Sequence, residues 1–176
     1  MKCFVTGGSG FIGSHLVDRL IADGNVVTAY DNLSNGRSSF IEKYVGQDNF
    51  RFIKADVLDL ETLTASMEGS DVVFHLTANQ DLRVALEDTS VDMYQETVAT
   101  YNVCEAMRRN GVNKIVYTSS GTVYGDTPVI PIPETYGPTH PISLYGAGKL
   151  AGEALITAFC HTFEMQAWMY RFANII

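Results

Sequence analysis

The sequence predicts an α/β protein: a doubly wound parallel sheet with helices on both faces. Three observations lead there. Short apolar runs alternate with amphipathic segments along the whole chain, and right-handed crossovers turn that alternation into a parallel sheet with helices packed on each side. The first apolar run ends on Gly7, Gly10 and Gly13, spaced by three. An acid, Asp31, closes the second run eighteen residues after the last of these glycines.

The elements follow in order. "KCFVT" (2–6) is short, apolar and stopped by glycine, as a buried strand is. "SHLVDRLIADG" (14–24) carries Leu16, Val17, Leu20 and Ile21 at helical spacing and ends on Gly24, a residue suited to the turn that stops a helix. "NVVTAY" (25–30) and "FRFIKA" (50–55) read as the second and third strands, "LETLTASM" (60–67) as a short helix and "DVVFHL" (71–76) as the fourth strand. Residues 91–110 form one long helix whose last turn holds Arg108 and Arg109, cations that complement the negative end of the helix dipole. "NKIVYTS" (113–119) is the fifth strand. A loop with Pro128, Pro131, Pro133 and Pro138 runs to Pro141, a long helix covers 143–163, and "MQAWMYRF" (165–172) is the sixth strand. No repeat, low-complexity tract or linker interrupts the pattern, so residues 1–176 read as one domain.

Composition narrows the function. With 46% hydrophobic and 18% charged residues, the chain has a globular composition and enough apolar material for one sizeable core. A formal charge of -8 argues against sequence-independent binding to nucleic acid or to an anionic membrane. Local phosphate binding stays open, because backbone amides need no net charge for it. Cys3, Cys104 and Cys160 are far apart, odd in number and form no CxxC pair, which fits three reduced thiols of a cytoplasmic protein. The chain enters its first strand without a charged leader, and no apolar run is long enough to span a bilayer. The expectation is a cytoplasmic location with no membrane and no nucleic-acid partner.

"VTGGSGFIGSHL" (5–16) joins the first strand to the first helix. In such a loop Gly7 permits the tight turn, Gly10 lets a pyrophosphate approach the backbone, and Gly13 lets the helix pack close to the strand. The helix N-terminus then faces the phosphates. Asp31 would accept hydrogen bonds from an adenosine ribose and repel a 2′-phosphate, so this Rossmann-type loop favours NAD over NADP. Arg37 is the one feature that argues for NADP, and a basic residue in a polar loop is ordinarily just solvated. Asp56, after the third strand, either bonds the adenine amino group or starts the next helix. "HLTAN" (75–79) closes the fourth strand at the end that lines a cofactor crevice. His75 reads as a packed strand histidine. His15, His140 and His161 show no ligand spacing with one another or with the cysteines, so no metal site is expected.

"VYTSSGTVYGD" (116–126) places Ser119 and Ser120 at the end of the fifth strand, where they either make a plain polar turn or present a hydroxyl to a substrate. In "SLYGAGKLAGEAL" (143–155), Tyr145 and Lys149 stand four residues apart. On a helix that is one turn along the same face, close enough for the amine to tune the phenol. Gly146, Gly148 and Gly152 are poor helix formers and suit a helix that must lie close to a cofactor or to another helix.

Four motifs in this order, "TGGSGFIG" (6–13), "DNLSNG" (31–36), "TSSGTVYGD" (118–126) and "YGAGK" (145–149), cover nearly the whole chain. With them the chain resembles an extended short-chain dehydrogenase/reductase of the NAD-dependent nucleotide-sugar epimerase/dehydratase family. The resemblance implies that Tyr145 is the acid/base, that Lys149 binds the nicotinamide ribose and lowers the tyrosine's pKa, and that Ser120 rather than Ser119 bonds the sugar hydroxyl. It implies NAD contacts from Gly7, Gly10, Phe11, Ile12 and Gly13 in the first loop, and from Asp31, Asn32, Asn35 and Gly36 after the second strand. Asp56 and Val57 follow the third strand, Leu76, Thr77 and Ala78 the fourth, and Thr118 the fifth; Tyr145 and Lys149 complete the set.

The same resemblance assigns substrate contacts to Ser120, Thr122, Tyr145 and Asn174. Dehydratases of the family resemble one another in an acidic pair just after the catalytic hydroxyl residue, and the sugar-acid decarboxylases carry a Glu. Gly121 and Thr122 stand there instead, a pattern similar to that of UDP-glucose 4-epimerases acting on a UDP-sugar. The chain departs from the family at Glu96, where Asn is frequent, at Phe172, where Tyr is frequent, and at "NQDLR" (79–83), where some 4-epimerases place a lysine. Family members also carry a smaller C-terminal substrate domain, which this chain lacks. The expectation is therefore an NAD-dependent 4-epimerase. The alternatives are an NAD-binding module without activity, or another dehydratase or reductase of the family. Pairing of two copies through the helices near 91–110 and 143–163 is also implied.

Overall fold

The structure is a computed structural model and describes residues 1–81 and 83–175. Six strands form one parallel sheet: β1 (Lys2–Thr6), β2 (Val26–Asp31), β3 (Phe50–Lys54), β4 (Val72–His75), β5 (Lys114–Ser120) and β6 (Gln166–Phe172), in the order β3-β2-β1-β4-β5-β6. This is the doubly wound sheet the sequence predicts. Strand order reverses at β1, whose neighbours are β2 and β4, and a crevice opens there beyond the carboxyl ends of the strands.

Alternation along β1 sends Phe4 to one face and Cys3 and Val5 to the other, and each face has its own core. On one side Phe4, Tyr30, Val73, Ile115 and Tyr117 pack against α2 (Leu60–Met67), α4 (Ala99–Asn110) and α5 (Leu144–Phe163), through Leu63, Met67, Val103, Met107 and Ile156. On the other, Cys3, Val5, Val27 and Ala29 pack against Val17 and Leu20 of α1 (Phe11–Ala22). Cys3 and Cys104 are buried free thiols, and Cys160 is half-buried. Among the described residues no helix is long and apolar enough to cross a membrane.

Two elements differ from the sequence reading. Helix α1 starts at Phe11, three residues earlier than its apolar spacing suggests, because Gly10 in extended conformation opens it with no side-chain cap. Its first amides therefore point into the crevice unsatisfied by the protein's own side chains. The helix expected at 91–110 is not one uniform α-helix. It begins at α3 (Ser90–Asp92), widens into a π-helical stretch over Met93–Val98 and resumes as α4. Apolar periodicity does not reveal a single inserted residue, whereas π turns frequently mark functional sites. This one presents the buried Glu96 towards α5, just after the buried Asp92 that ends α3.

His75 is the packed strand histidine that the sequence suggests. Thr100 donates its hydroxyl proton to the Glu96 carbonyl, so it accepts from Nε2–H of His75 at 3.1 Å, and the Thr6 hydroxyl donates to Nδ1 at 2.8 Å. Full burial lowers the His75 pKa to about 3, helped by the nearby Lys149 charge, so the ring is neutral at physiological pH.

Candidate functional site

The crevice has a volume of about 650 Å³, the size of a site for a cofactor-like molecule. Loops after all six strands and the N-termini of α1 and α5 build its walls. Gly7, Gly10, Phe11, Ile12 and Gly13 form one wall, and Asp31, Asn32, Asn35 and Gly36 form the end beyond β2. Val57, Leu76, Thr77, Ala78 and Thr118 line the middle, and Ser120, Thr122, Tyr145, Lys149 and Asn174 the far end. Nineteen separate sequence positions thus converge on one cavity.

Asp56 is the sequence candidate that does not line it. Its carboxylate accepts from Asn32 Nδ2 at 2.8 Å and from the Leu58 amide at 2.9 Å, while Ala55 and Val57 form the crevice wall. It does not start α2 either: that helix is capped by Asp59, which accepts from the Thr62 amide at 3.1 Å. In the ligand-free chain Asp56 braces the loop that carries Asn32.

The residues fit a dinucleotide. A Cβ built on Gly13 would lie 2.0 Å from the Gly7 carbonyl oxygen, so the loop and helix touch backbone to backbone there. That closeness turns the free amides of α1 towards the cavity, where an anion would be held. Asp31 is held by the amides of Ser9 at 3.0 Å and Leu33 at 2.8 Å, which fixes its carboxylate at the end of β2. Arg37 lies over the Phe40 ring, 5.8 Å from its centroid, and is absent from the crevice wall.

At the far end the two serines separate. Ser119 is buried and donates its hydroxyl to Glu153, which also takes a two-pronged pair of hydrogen bonds from Arg171 at 2.9 and 2.7 Å. Its hydroxyl is engaged in tying β5 to α5 and β6. The Ser120 oxygen accepts from the amide and hydroxyl of Thr122, at 3.2 and 3.0 Å, and sits by Tyr145 with its own proton available.

Tyr145 and Lys149 face the crevice from the first turns of α5, which is capped by Ser143 accepting from the Gly146 amide at 3.0 Å. Lys149 is 1% exposed. Its ammonium donates to the Thr118 carbonyl at 2.9 Å and lies 2.9 Å from the equally buried carboxylate of Glu96. Gly148 makes this approach possible, because a Cβ there would come within 2.6 Å of the Glu96 Cβ. The other Glu96 oxygen accepts from the Asn79 amide at 2.7 Å, and Asn79 also donates its side-chain amide to Asp92 at 2.8 Å.

Tyr145 is pushed up to about 12, first by burial and then by the negative charge of Glu96, with the Ser120 hydrogen bond acting in the opposite sense. Burial also raises the Glu96 pKa, an effect that the Lys149 charge opposes. Sequence reasoning noted Glu96 as a departure without seeing its partner. The available signal was two acids, Asp92 and Glu96, spaced by four on an otherwise apolar helix face. It also missed Ser34, Asn79, Gln80 and Gln95 on the wall. Of the "NQDLR" segment, Asn79 and Gln80 line the crevice, Asp81 and Arg83 pair with each other at 2.8 Å, and Leu82 lies outside the described residues. Among the described residues no cluster of side chains could hold a metal ion.

A UDP-glucose 4-epimerase of Mycolicibacterium smegmatis is 39% identical over 99% of this chain, which spans 56% of that protein. A crystal structure of a UDP-galactose 4-epimerase superposes with a TM-score of 0.90 at 42% identity, over 99% of this chain and 56% of the other. A UDP-glucose 4-epimerase of Thermotoga maritima, solved with UDP-glucose, superposes with a TM-score of 0.91 at 32% identity and the same coverage. The chain thus spans about half the length of the relatives it matches. The model of the NAD dependent epimerase/dehydratase family matches residues 3–176, and with that match on this sheet and crevice the chain belongs to the NAD-dependent epimerase/dehydratase family.

Proposed function

We propose that this chain is the cofactor-binding and catalytic part of a nucleotide-sugar 4-epimerase that interconverts UDP-glucose and UDP-galactose. The observation that carries the reading against a dehydratase is the distribution of acids. Among the described wall residues Asp31 is the only carboxylate. It stands at the end of β2, three strand positions from β5, roughly 14 Å at the spacing of sheet strands. Among the described wall residues no carboxylate stands at the Tyr145 end to take a carbon-bound proton from the sugar's C5. The names of the relatives agree with this reading.

Gly10, Gly13 and the α1 amides would hold the NAD pyrophosphate, Asp31 the adenosine ribose, and Lys149 with Thr118 the nicotinamide half. Bound NAD supplies a reversible two-electron oxidation at the sugar's C4. Tyr145 takes the proton of the C4 hydroxyl as that carbon becomes a ketone and returns it when the alcohol re-forms on the opposite face. Ser120 bonds the same oxygen through both steps and keeps it within reach of the phenol. Thr122 and Asn174 lie beside them for contacts to the sugar.

The second reading is an NAD-binding fragment or module without catalytic activity. Equilibrium dialysis of the chain with NAD and with UDP-glucose separates the two. The epimerase reading expects both to bind. Retention of NAD alone would favour the module, and retention of neither would overturn both. We also infer that two copies pair through the helices near 91–110 and 143–163, where Tyr101 and Phe163 are exposed and both pack on the Phe159 ring. Light scattering is expected to give the mass of a dimer; a monomer at high micromolar concentration rules the pairing out.

A further inference from the structure

We propose that Glu96 is a positioning residue that draws the Lys149 ammonium onto itself and so withholds the lysine's positive charge from the Tyr145 oxygen. The inference rests on the reading of Tyr145 as the proton-transfer group. Its basis is geometric. Lys149 and Glu96 are 1% and 0% exposed, their charged atoms are 2.9 Å apart, and the ammonium lies 5.7 Å from the centre of the Tyr145 ring. An ammonium buried this deeply needs an anion. Glu96 is that anion in the free chain; the Tyr117 and Tyr145 rings lie 5.0 and 5.7 Å from the same ammonium, and of the two only Tyr145 lines the crevice. Three local features serve the contact: the π-helical stretch that carries Glu96, the Asn79 amide that fixes its other oxygen, and Gly148, which lets the two helices close on it.

Each charged or titratable group packed round the pair is accounted for. Asp92, the last residue of α3, accepts from the Asn79 side chain, and its charge acts in the same sense as that of Glu96 on Tyr145, more weakly. Glu153, on α5, is engaged by Arg171 and Ser119. Tyr117, from β5, is driven further into its protonated form by burial. His75, from β4, is neutral above about pH 3. Glu96 is therefore the larger of two negative charges acting on Tyr145, and the one in contact with Lys149. Its presence favours the protonated phenol in the ligand-free chain, so the phenolate needs either high pH or positive charge brought by a ligand.

The test reads the phenol directly. The full chain is labelled with tyrosine carrying ¹³C at Cζ, and the Tyr145 resonance is assigned by its loss in Tyr145→Phe. In the unmodified chain Tyr145 is expected to remain protonated at about pH 9, in line with a pKa pushed up to about 12. In Glu96→Gln, which keeps an oxygen for the Asn79 amide, the midpoint is expected to fall by about one unit or more, the usual effect of an uncompensated opposite charge. The double variant Glu96→Gln/Lys149→Met removes both charges, and its midpoint is expected to return to within about half a unit of the unmodified chain. Ionisation of Tyr145 below about pH 9 in the unmodified chain, which requires no variant to fold, would falsify the proposal. So would a Glu96→Gln midpoint that is unchanged or higher, or a double variant shifted as far as the single one. Circular dichroism melts establish that each variant is folded. Because no turnover is measured, failure here is distinct from failure of the epimerase reading, which turns on activity in Tyr145→Phe.

Discussion

Tyr145→Phe in the protein that carries this chain is expected to lower the interconversion of UDP-glucose and UDP-galactose by about a thousand-fold or more. A positioned acid/base typically contributes about 10²–10⁴ in rate, and no other group stands ready to replace it. Ser119 is engaged by Glu153, and Lys149 is held by Glu96 and the Thr118 carbonyl. The substitution removes one oxygen and leaves the ring where it packs. Ser120 keeps its hydrogen bonds from Thr122, and the α1 amides that would bind pyrophosphate lie across the crevice. NAD affinity is therefore expected to change by less than about threefold, or roughly 0.6 kcal/mol. Loss of turnover with intact NAD binding locates the role in the chemical step. Turnover equal to that of the unmodified protein would remove Tyr145 from the mechanism and with it the epimerase reading of this crevice.

The second large effect is expected at Gly13. In Gly13→Ala the new methyl group would meet the Gly7 carbonyl oxygen at 2.0 Å, the Gly7 carbonyl carbon at 2.9 Å and the Gly8 Cα at 2.9 Å. All three are backbone atoms, so no side chain can swing aside. Either α1 lifts away from β1, or the loop over residues 7–10 is displaced. Overpacking of a tight site costs about 1–3 kcal/mol and sometimes more, and the upper end applies where backbone is the obstacle. For a chain of this size that corresponds to a fall in Tm of roughly 6–12 °C. NAD affinity is expected to drop by about a hundred-fold or more, because the amides of α1 no longer converge on one point. Thermal melting and an NAD titration measure the two effects together. Gly137→Ala is the matched control, since a Cβ there meets nothing within 4 Å, and it is expected to leave both quantities unchanged. A Gly13→Ala chain with normal Tm and normal NAD affinity would contradict the packing described for the loop.

Much of this was legible in the sequence because it rests on local rules. The order of strands and helices follows from apolar runs of strand length alternating with helical periods, and handedness then leaves few ways to wind the sheet. The glycine loop was readable because each of its residues is required by backbone geometry within a few positions. The far end of the crevice was readable in part, through a tyrosine and a lysine one helical turn apart. What stayed hidden depends on which side chain faces which across elements distant in the chain. Ser119 and Ser120 are adjacent, and only the packing of Glu153 and Arg171 against β5 shows that the first is structural. The bond that Asp56 takes from Asn32, 24 residues away, and the capping of α2 by Asp59 instead of Asp56 are likewise invisible to local rules.

By itself, then, the sequence determined the winding of the sheet, the phosphate loop with its acid at Asp31, and the presence of a phenol and an amine on one helix face. These are properties of segments short enough for backbone sterics and residue period to dictate. The tertiary structure decided the electrical state of that phenol and amine. Glu96 is 53 residues from Lys149, and a π-helical stretch and the missing side chain of Gly148 bring the two within 2.9 Å. A charge acts through distance and dielectric, and both are set only when helices from separate parts of the chain close on one another and exclude water.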